Sequence, residues 1–162
     1  MKKLIITLLC LATLAGCGMT SVEETTKPAG QMQLGNPWKS YETLRDAENA
    51  SSLAFPLPEH IAEGYQAESY RVMNGSLLEV QYRKDESKIT VRMQSGEDAD
   101  ISGVYENFTS TETFERSGAS VTKKQSAEYL VLLVCMNGHS FSVYIPGDVP
   151  ESVCDEILAG IC

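Results

Sequence analysis

The stretch Ser76–Met93, SLLEVQYRKDESKITVRM, decides the fold, because apolar and polar side chains alternate on both sides of a turn at Asp85–Glu86. Such alternation predicts two half-buried antiparallel strands. If Lys84 lies opposite Ser87, three apolar pairs share one face, and a slip by one residue would expose them all. The apolar pairs are Leu78–Met93, Val80–Val91 and Tyr82–Ile89, and the polar alternates are Glu79, Gln81, Arg83, Lys88, Thr90 and Arg92. We expect the polar face to be exposed to solvent.

Strand signals continue on both sides of this hairpin. Asn74–Gly75 predicts a two-residue turn after a strand at 65–73. Asn137–Gly138 predicts a second such turn, with Met136 opposite His139, between YLVLLVCM (129–136) and HSFSVYI (139–145). The run 129–136 is apolar on both faces, so the face that carries Cys135 needs a cover, and we expect the C-terminal helix to provide it.

Two helices are predicted at the ends of the folded region. Ser40 can cap a helix that runs to about Ser51, before FPLPEHIAEGY (55–65) forces an extended path. The C-terminal helix has Pro150 at its first position and an apolar stripe of Val153, Ile157, Leu158 and Ile161. With shorter strands near 112–116 and 119–125, the fold class is α+β: an antiparallel sheet of about seven strands with an N-terminal and a C-terminal helix.

The chain begins with the pattern of a secretory leader. Lys2 and Lys3 precede an uncharged apolar run, Leu4–Ala15, which small residues follow at once. This run is shorter than the roughly 18 to 20 residues that a bilayer-spanning helix needs. We therefore expect cleavage of the leader and no retained transmembrane anchor.

The end of the leader, LAGC, resembles the lipobox of bacterial lipoproteins. Leu14, Ala15 and Gly16 then form the signal peptidase recognition site, and Cys17 is the lipid attachment residue that carries diacylglycerol. The resemblance implies that the protein binds a membrane through that lipid. It also implies a lipid-anchored location on the extracytoplasmic face of the cell membrane. The predicted organisation is a signal peptide at 1–16, a lipidated cysteine with a flexible tether at 17–35, and one α+β domain at 36–162.

Charge restricts the partners. The full chain has 13 basic and 22 acidic side chains, and loss of Lys2 and Lys3 with the leader leaves 11 basic side chains and a net charge of −11. This balance argues against nucleic acid and against electrostatic adhesion to an anionic leaflet. An acidic surface can attract cationic peptides or metal ions, although it also serves simply to keep a secreted domain soluble.

Three cysteines remain beyond the leader and Cys17. Cys154 and Cys162 lie about 12 Å apart along a continuous helix and cannot bridge each other. Cys135 lies on the face that we expect the C-terminal helix to cover, so a disulfide from Cys135 to Cys154 or Cys162 is one hypothesis. Three reduced thiols are the alternative.

No pattern of residues predicts catalysis. A nucleophilic cysteine needs a positioned base, but the two histidines, His60 and His139, lie in a proline-rich loop and beside a turn, and His139 points away from Cys135. Neither has zinc-ligand spacing. Glu97, Asp98 and Asp100 lack the spacing of a calcium loop. We therefore expect no catalytic residue, no metal site, no cofactor and no enzyme activity.

Several stretches together resemble a family of uncharacterised secreted domains found in lipoproteins and beside anti-sigma factors of Gram-positive bacteria. They are NPW (36–38), FPLPEHIAEGY, the turn at Asn74–Gly75 with EVQY after it, and the closing helix. These domains are similar to the curved sheets of the lipoprotein carriers LolA and LolB and of the regulator RseB. The resemblance implies a curved sheet and a non-catalytic binding or sensing module for an envelope protein, peptide or lipid.

The residues favour one ligand class and leave one alternative. An acyl-chain carrier needs an apolar concave lining, whereas the second face of the first hairpin is polar, so we rank a protein or peptide ligand above a lipid. The alternative is a structural or inhibitory lipoprotein that blocks an envelope hydrolase. Its blocking element would be the exposed loop GEDADISGVYENF (96–108), and removal of Gly96–Gly103 should then abolish inhibition while leaving the fold intact.

Overall fold

The computed structural model describes residues 35–97 and 99–162. Nine strands of this region form one open antiparallel sheet in the order β1-β3-β4-β5-β9-β8-β7-β6, with β2 paired to β3. The elements are β1 (Trp38–Tyr41), α1 (Leu44–Ser51), β2 (His60–Ile61), β3 (Tyr65–Met73), β4 (Leu77–Lys84), β5 (Ser87–Ser95), β6 (Ser110–Arg116), β7 (Ala119–Gln125), β8 (Tyr129–Met136), β9 (His139–Pro146) and α2 (Glu151–Ile161). The α+β class is confirmed, and the sheet has more strands than the predicted seven.

The registers of the two central hairpins are as predicted. Lys84 lies opposite Ser87, and Met136 lies opposite His139. β5 pairs with β9, and Val91 lies opposite Val143, so the apolar faces of the two hairpins are continuous across the middle of the sheet. The first turn differs: Met73 pairs with Leu77, so the loop contains Ser76 as well as Asn74–Gly75, and the predicted two-residue turn is wrong.

The predicted N-terminal helix from Ser40 is not confirmed. Residues Trp38–Tyr41 form the edge strand β1, which pairs with β3, and the helix that follows has only eight residues. Its N-cap is Thr43, whose hydroxyl accepts a hydrogen bond from the Asp46 N–H at 3.2 Å. The main-chain groups at the edge of β3 pair with residues 38–41, which therefore form a strand and not a helix. The sequence pattern alone does not reveal this pairing.

The core lies on one face of the sheet, and both helices pack there. Ala47 of α1 and the predicted stripe of α2 join a single cluster with the apolar faces of β4, β5, β7, β8 and β9. That stripe is buried as predicted: Val153, Ile157, Leu158 and Ile161. Pro150 is the N-cap rather than the first helical residue. At Gly160 a Cβ would lie 2.4 Å from Leu57 Cδ2, so α2 approaches this neighbour closely.

The second face of β8 is covered by a loop and not by the C-terminal helix. α2 packs on the side of Leu132 and Val134, whereas Val131, which points to the other side, is also fully buried. Residues 99–108, which we call the covering loop, lie over that side, and their bonds to strand residues are described below. The prediction that α2 covers the Cys135 face is wrong, because α2 is needed to close the main core.

The packing of α2 is tested by Ile157→Ala. Ile157 is fully buried, so truncation loses its transfer free energy and leaves a cavity, and we expect a loss of about 2 to 5 kcal/mol in the free energy of unfolding. Urea titration followed by circular dichroism measures it. The matched control is Glu156→Ala, which changes an exposed neighbour on the same helix and should shift stability by less than about 0.5 kcal/mol. Equal effects of the two substitutions would contradict the packing of α2.

Candidate functional site

A cleft opens on the core side of the sheet, between α2 and the outer strands β6, β7 and β8. Its volume is about 470 Å³, within the usual range for ligand pockets. Among the described residues, α2 packs on the core and no helix lies above the last strands, which leaves the cleft open. Apolar side chains lie at its floor, among them Leu130, Leu132, Ile145, Val149 and Leu158, whereas polar and charged side chains account for much of its exposed lining.

The rim of the cleft is charged. Arg116 pairs with Asp155 at 3.0 Å, and Lys123 lies 3.7 Å from Glu112, so both cations of the rim face carboxylates. Glu151, at the start of α2, also lines the cleft and forms none of the ion pairs found among the described residues. The rim therefore carries surplus negative charge.

One end of the cleft is fixed by a close main-chain contact. The Gly147 N–H donates to the Glu128 carbonyl at 2.7 Å, and a Cβ at Gly147 would lie 2.9 Å from that oxygen. The Ser126 hydroxyl caps the same turn by accepting from the Tyr129 N–H at 3.1 Å. The segment between β7 and β8 is thus held against the end of β9, so this wall of the cleft is preformed.

Phe114 provides the aromatic side chain of the site. It lies on β6 opposite Val121 of the core, yet 38% of its surface is exposed. The other six residues of β6 (Ser110–Arg116, STETFER) are polar, and all of them except Arg116 are exposed. Sequence reasoning missed this residue, although a single aromatic residue in an otherwise polar edge strand was a usable signal.

The second face of the sheet contains a buried charge cluster. Glu79 is fully buried, although the alternation predicted that it would be wet. Its Oε1 pairs with the Arg71 guanidinium and accepts from Gln81 at 2.7 Å, and its Oε2 accepts from Arg92 Nε at 2.9 Å. A buried carboxylate needs such partners, because charge is costly to remove from water.

Trp38 lies over this cluster from the edge strand β1. Its ring lies 4.8 Å from the Arg71 guanidinium and 5.6 Å from that of Arg92. The stacking shields the guanidiniums from water and adds a cation–π attraction. Because Trp38 is the only tryptophan of the chain, its fluorescence reports on the state of the cluster.

The covering loop is anchored to the sheet through Arg92 and Lys124. Arg92 Nη1 donates to the carbonyl oxygens of Ile101 and Ser102 at 3.1 Å and 2.5 Å. Lys124 Nζ donates to Asp100 Oδ2 at 2.6 Å. Burial acts to raise the pKa of Asp100, but the hydrogen bonds from Lys124 and Ser102 outweigh it, and the pKa lies below its usual value.

The last part of the covering loop presents one side chain to solvent. Tyr105 is 95% exposed. Its neighbours are fixed, since the Tyr129 hydroxyl donates to Glu106 at 2.8 Å and the ring of Phe108 meets that of Tyr129 edge to face at 6.2 Å. Tyr105 therefore projects into solvent from a loop that is anchored to the sheet.

The structure separates the cysteines that could have formed a bridge. Cys154 on α2 and Cys162 at its C-cap are free thiols packed against the core, while Cys135 lies on the opposite face with its Sγ 4.0 Å from Ser140 Oγ. Neither predicted bridge to Cys135 is formed, because the helix covers the other side of β8. Burial raises the pKa of the Cys154 thiol in the cleft, which disfavours the thiolate.

The acidic residues of the 96–100 region have structural partners. Glu97 accepts from the Gly138 N–H at 2.8 Å, and Asp100 is held by Lys124 as above. Asp98 lies outside the described residues. Within 35–97 and 99–162, no group of three or more histidine, cysteine or acidic side chains is placed to hold a metal ion.

Leu14, Ala15, Gly16 and Cys17 also lie outside the described residues, so lipidation at Cys17 stays a prediction. In the part of the chain that is described, no helix is long and apolar enough to cross a membrane.

Comparison with known protein families, with curated proteins and with solved structures found no significant match for this chain.

Gly103→Ala tests how the covering loop is held. Gly103 has a φ of +68°, and a Cβ there would lie 2.7 Å from Arg92 Nη1, so the substitution should displace Arg92 and disturb the charge cluster. We expect a change in Trp38 fluorescence together with a loss of stability. The matched control is Gly96→Ala, which also substitutes a glycine of positive φ but meets no atom within 4 Å. Equal fluorescence changes in both variants would exclude the Arg92 contact as the cause.

Asp100→Asn tests the Lys124 contact through its dependence on pH. Because the folded state lowers the pKa of Asp100, the ionised carboxylate stabilises the fold at neutral pH, and this contribution is lost as the pH falls below the usual value of about 3.9. The stability difference between the natural protein and Asp100→Asn should therefore be largest near pH 7 and shrink on acidification. Urea titrations across this pH range measure it, and Asp148→Asn, in an exposed turn, is the control. A difference that grows in acid would contradict this pairing.

Proposed function

We propose that this protein is a lipoprotein of the extracytoplasmic face of the cell membrane, anchored through diacylglycerol on Cys17. Its α+β domain binds an envelope protein or peptide in the cleft beside Phe114, and it is not an enzyme. The observation that carries the proposal is the cleft itself: a hollow of about 470 Å³ with apolar side chains at its floor and charged side chains at its rim.

The chemistry of the cleft favours a peptide over an acyl chain. An acyl chain offers no group for the carboxylates of Glu112, Glu151 and Asp155, and its presence would leave them partly desolvated. A peptide offers apolar side chains for the floor and polar or cationic groups for the rim. The exposed ring of Phe114 at the border of the cleft supplies the kind of aromatic contact that commonly anchors protein partners.

The anchor is supported by the leader and the LAGC pattern. One acyl chain gives only marginal membrane binding, whereas two chains hold a protein stably. A diacylglycerol group would therefore keep the domain at the membrane surface, where its partner is an envelope component.

The proposal includes the likeness to curved-sheet carriers and regulators. It is supported by a register shift between Ala67 and Ser69 of β3, since such bulges bend strands, and by the location of both helices on one face. In this view the cleft occupies the side of the sheet that the helices leave partly open.

Site-specific photocrosslinking tests the binding site. Benzoylphenylalanine replaces Phe114 in the full-length lipoprotein, which is then irradiated in its native envelope, and covalent products are identified by mass spectrometry. We expect one reproducible protein product. It should be lost in the background of Ala127→Trp, because Ala127 is exposed and lines the cleft, and kept with Ala127→Ser.

The control position for the crosslinker is Lys88, which is exposed on the other face of the sheet. A product of equal yield from position 88, or a product unaffected by Ala127→Trp, would contradict binding in the cleft. A lipid that copurifies at one molecule per protein would overturn the preference for a peptide.

Lipidation is tested by Cys17→Ser. The variant should lose the mass of the lipid and move from the detergent phase to the aqueous phase on Triton X-114 partitioning. The matched control is Cys10→Ser, which changes a cysteine of the predicted leader and should leave lipidation unchanged. A membrane-bound Cys17→Ser protein would argue against the proposed anchor.

A structural or inhibitory lipoprotein is the second candidate, and Tyr105 favours it. An anchored loop with one protruding aromatic side chain has the form of a blocking element. Deletion of 96–103 does not test this idea cleanly, because Arg92, Lys124 and Val131 would lose their partners or their cover. Benzoylphenylalanine at position 105 does: a specific product there, with none at 114, would favour the second candidate.

A further inference from the structure

The strand β6 leaves its outer edge open for pairing. It is the last strand in the sheet order, and among the described strands it pairs with β7 alone. Its register with β7 runs from Ser110 to Arg116 without a shift, and the strand contains no proline. Natural edge strands are usually shortened, bulged or covered, because a straight open edge accepts another strand. Within 35–97 and 99–162, the charged side chains of β6 are the one such protection that its edge has.

The turn after β6 shows which main-chain groups point outward. Ser117 and Gly118 have φ values of 50° and 86°, as in the type I′ turn of a two-residue hairpin loop. The residues that flank such a loop, Arg116 and Ala119, form a hydrogen-bonded pair, and hydrogen-bonded positions alternate along the strand. The N–H and C=O groups of Thr111, Thr113 and Glu115 therefore point away from β7.

An added strand would reach the cleft. Side chains of neighbouring strands share their faces, so every second residue of a strand beside β6 lies on the same side as Phe114. Those residues extend the row that leads from Phe114 over the floor of the cleft. The other residues of the added strand have their side chains on the same face as Thr113 and Glu115. If the added strand is antiparallel to β6, the N–H and C=O groups of these residues point toward β6.

The charges beside the open edge favour a positively charged added strand. Glu115, which lies on the side of β6 away from the cleft, forms none of the ion pairs among the described residues, while Arg116 and Lys123 on the cleft side already face carboxylates. A second copy of this chain, without its predicted leader, would itself carry a net charge of −11. Like charges across strands are unfavourable, so a cationic segment fits the edge better than a second copy does.

We propose that the partner binds as an extended cationic segment that pairs antiparallel with the outer edge of β6 and inserts apolar side chains into the cleft. This inference rests on the proposed function, because it takes the cleft as the binding site. It adds the chemical class of the partner and the main-chain mode of recognition.

The probe is a fluorescently labelled seven-residue peptide of alternating lysine and valine, which matches the length of β6. Its binding to the full-length protein in detergent micelles is followed by anisotropy. Thr113→Pro removes an outward N–H and places a ring on the edge, and we expect the affinity to fall at least about tenfold. Thr113→Ala keeps the N–H and should change the affinity less than about threefold. A peptide of alternating glutamate and valine should not bind.

Because Thr113→Pro can also disturb the fold, N-methylated probes give an independent readout on the unaltered protein. Methylation of the lysine nitrogens should abolish binding, whereas methylation of the valine nitrogens should preserve it, since only one alternating set faces β6. Equal binding of the two methylated peptides, or tight binding of the acidic peptide, would overturn strand addition.

The two proposals fail in different ways. If the photocrosslink at position 114 persists in Thr113→Pro with undiminished yield, the cleft binds its partner without strand addition, and only this inference fails. If the crosslink at position 114 is absent altogether, the proposed function itself fails.

Discussion

The burial of β8 on both faces is the constraint on which the rest of the structure depends. Leu132 and Val134 point to one side and Val131 to the other, and all three are almost completely removed from water. An antiparallel sheet with one face exposed to solvent could not hold such a strand in its interior. Each side therefore needs a cover, and the chain supplies two different ones: α2 on the core side and the covering loop on the other.

The two covers also explain where binding surfaces remain. α2 packs on the core and, among the described residues, no helix covers β6 and the outer part of β7, so a cleft opens beside Phe114. The covering loop needs polar anchors, because it lacks the main-chain pairing of a strand, and Arg92 and Lys124 supply them. Arg92 is in turn oriented by the buried Glu79, which links the loop to the charge cluster beneath Trp38.

Much of the sheet was predictable from sequence. The pairs of β4 with β5 and of β8 with β9 followed from tight turns and from the requirement that apolar alternates share a face. The buried stripe of α2 followed from helical spacing. These features are local, since each depends on residues close together in the chain, and local patterns specify them strongly.

The features that sequence reasoning missed depend on distant residues. β1 exists because β3 offers an edge, and the cover of Val131 comes from a loop whose polar composition suggested free exposure. Glu79 is buried because Arg71, Arg92 and Trp38 meet around it from three strands. The predicted register already placed Arg92 opposite Glu79, so an ion pair was foreseeable, but its burial was not. The cleft could not be predicted either, because it depends on where α2 ends over the sheet.

Amide hydrogen exchange on the full-length protein, with and without the captured partner, tests the central claim most directly. The account predicts that the partner slows exchange at the outward amides of Thr111, Thr113 and Glu115, with smaller changes in the first turn of α2. Protection confined to the covering loop around Tyr105, with β6 unchanged, would contradict it.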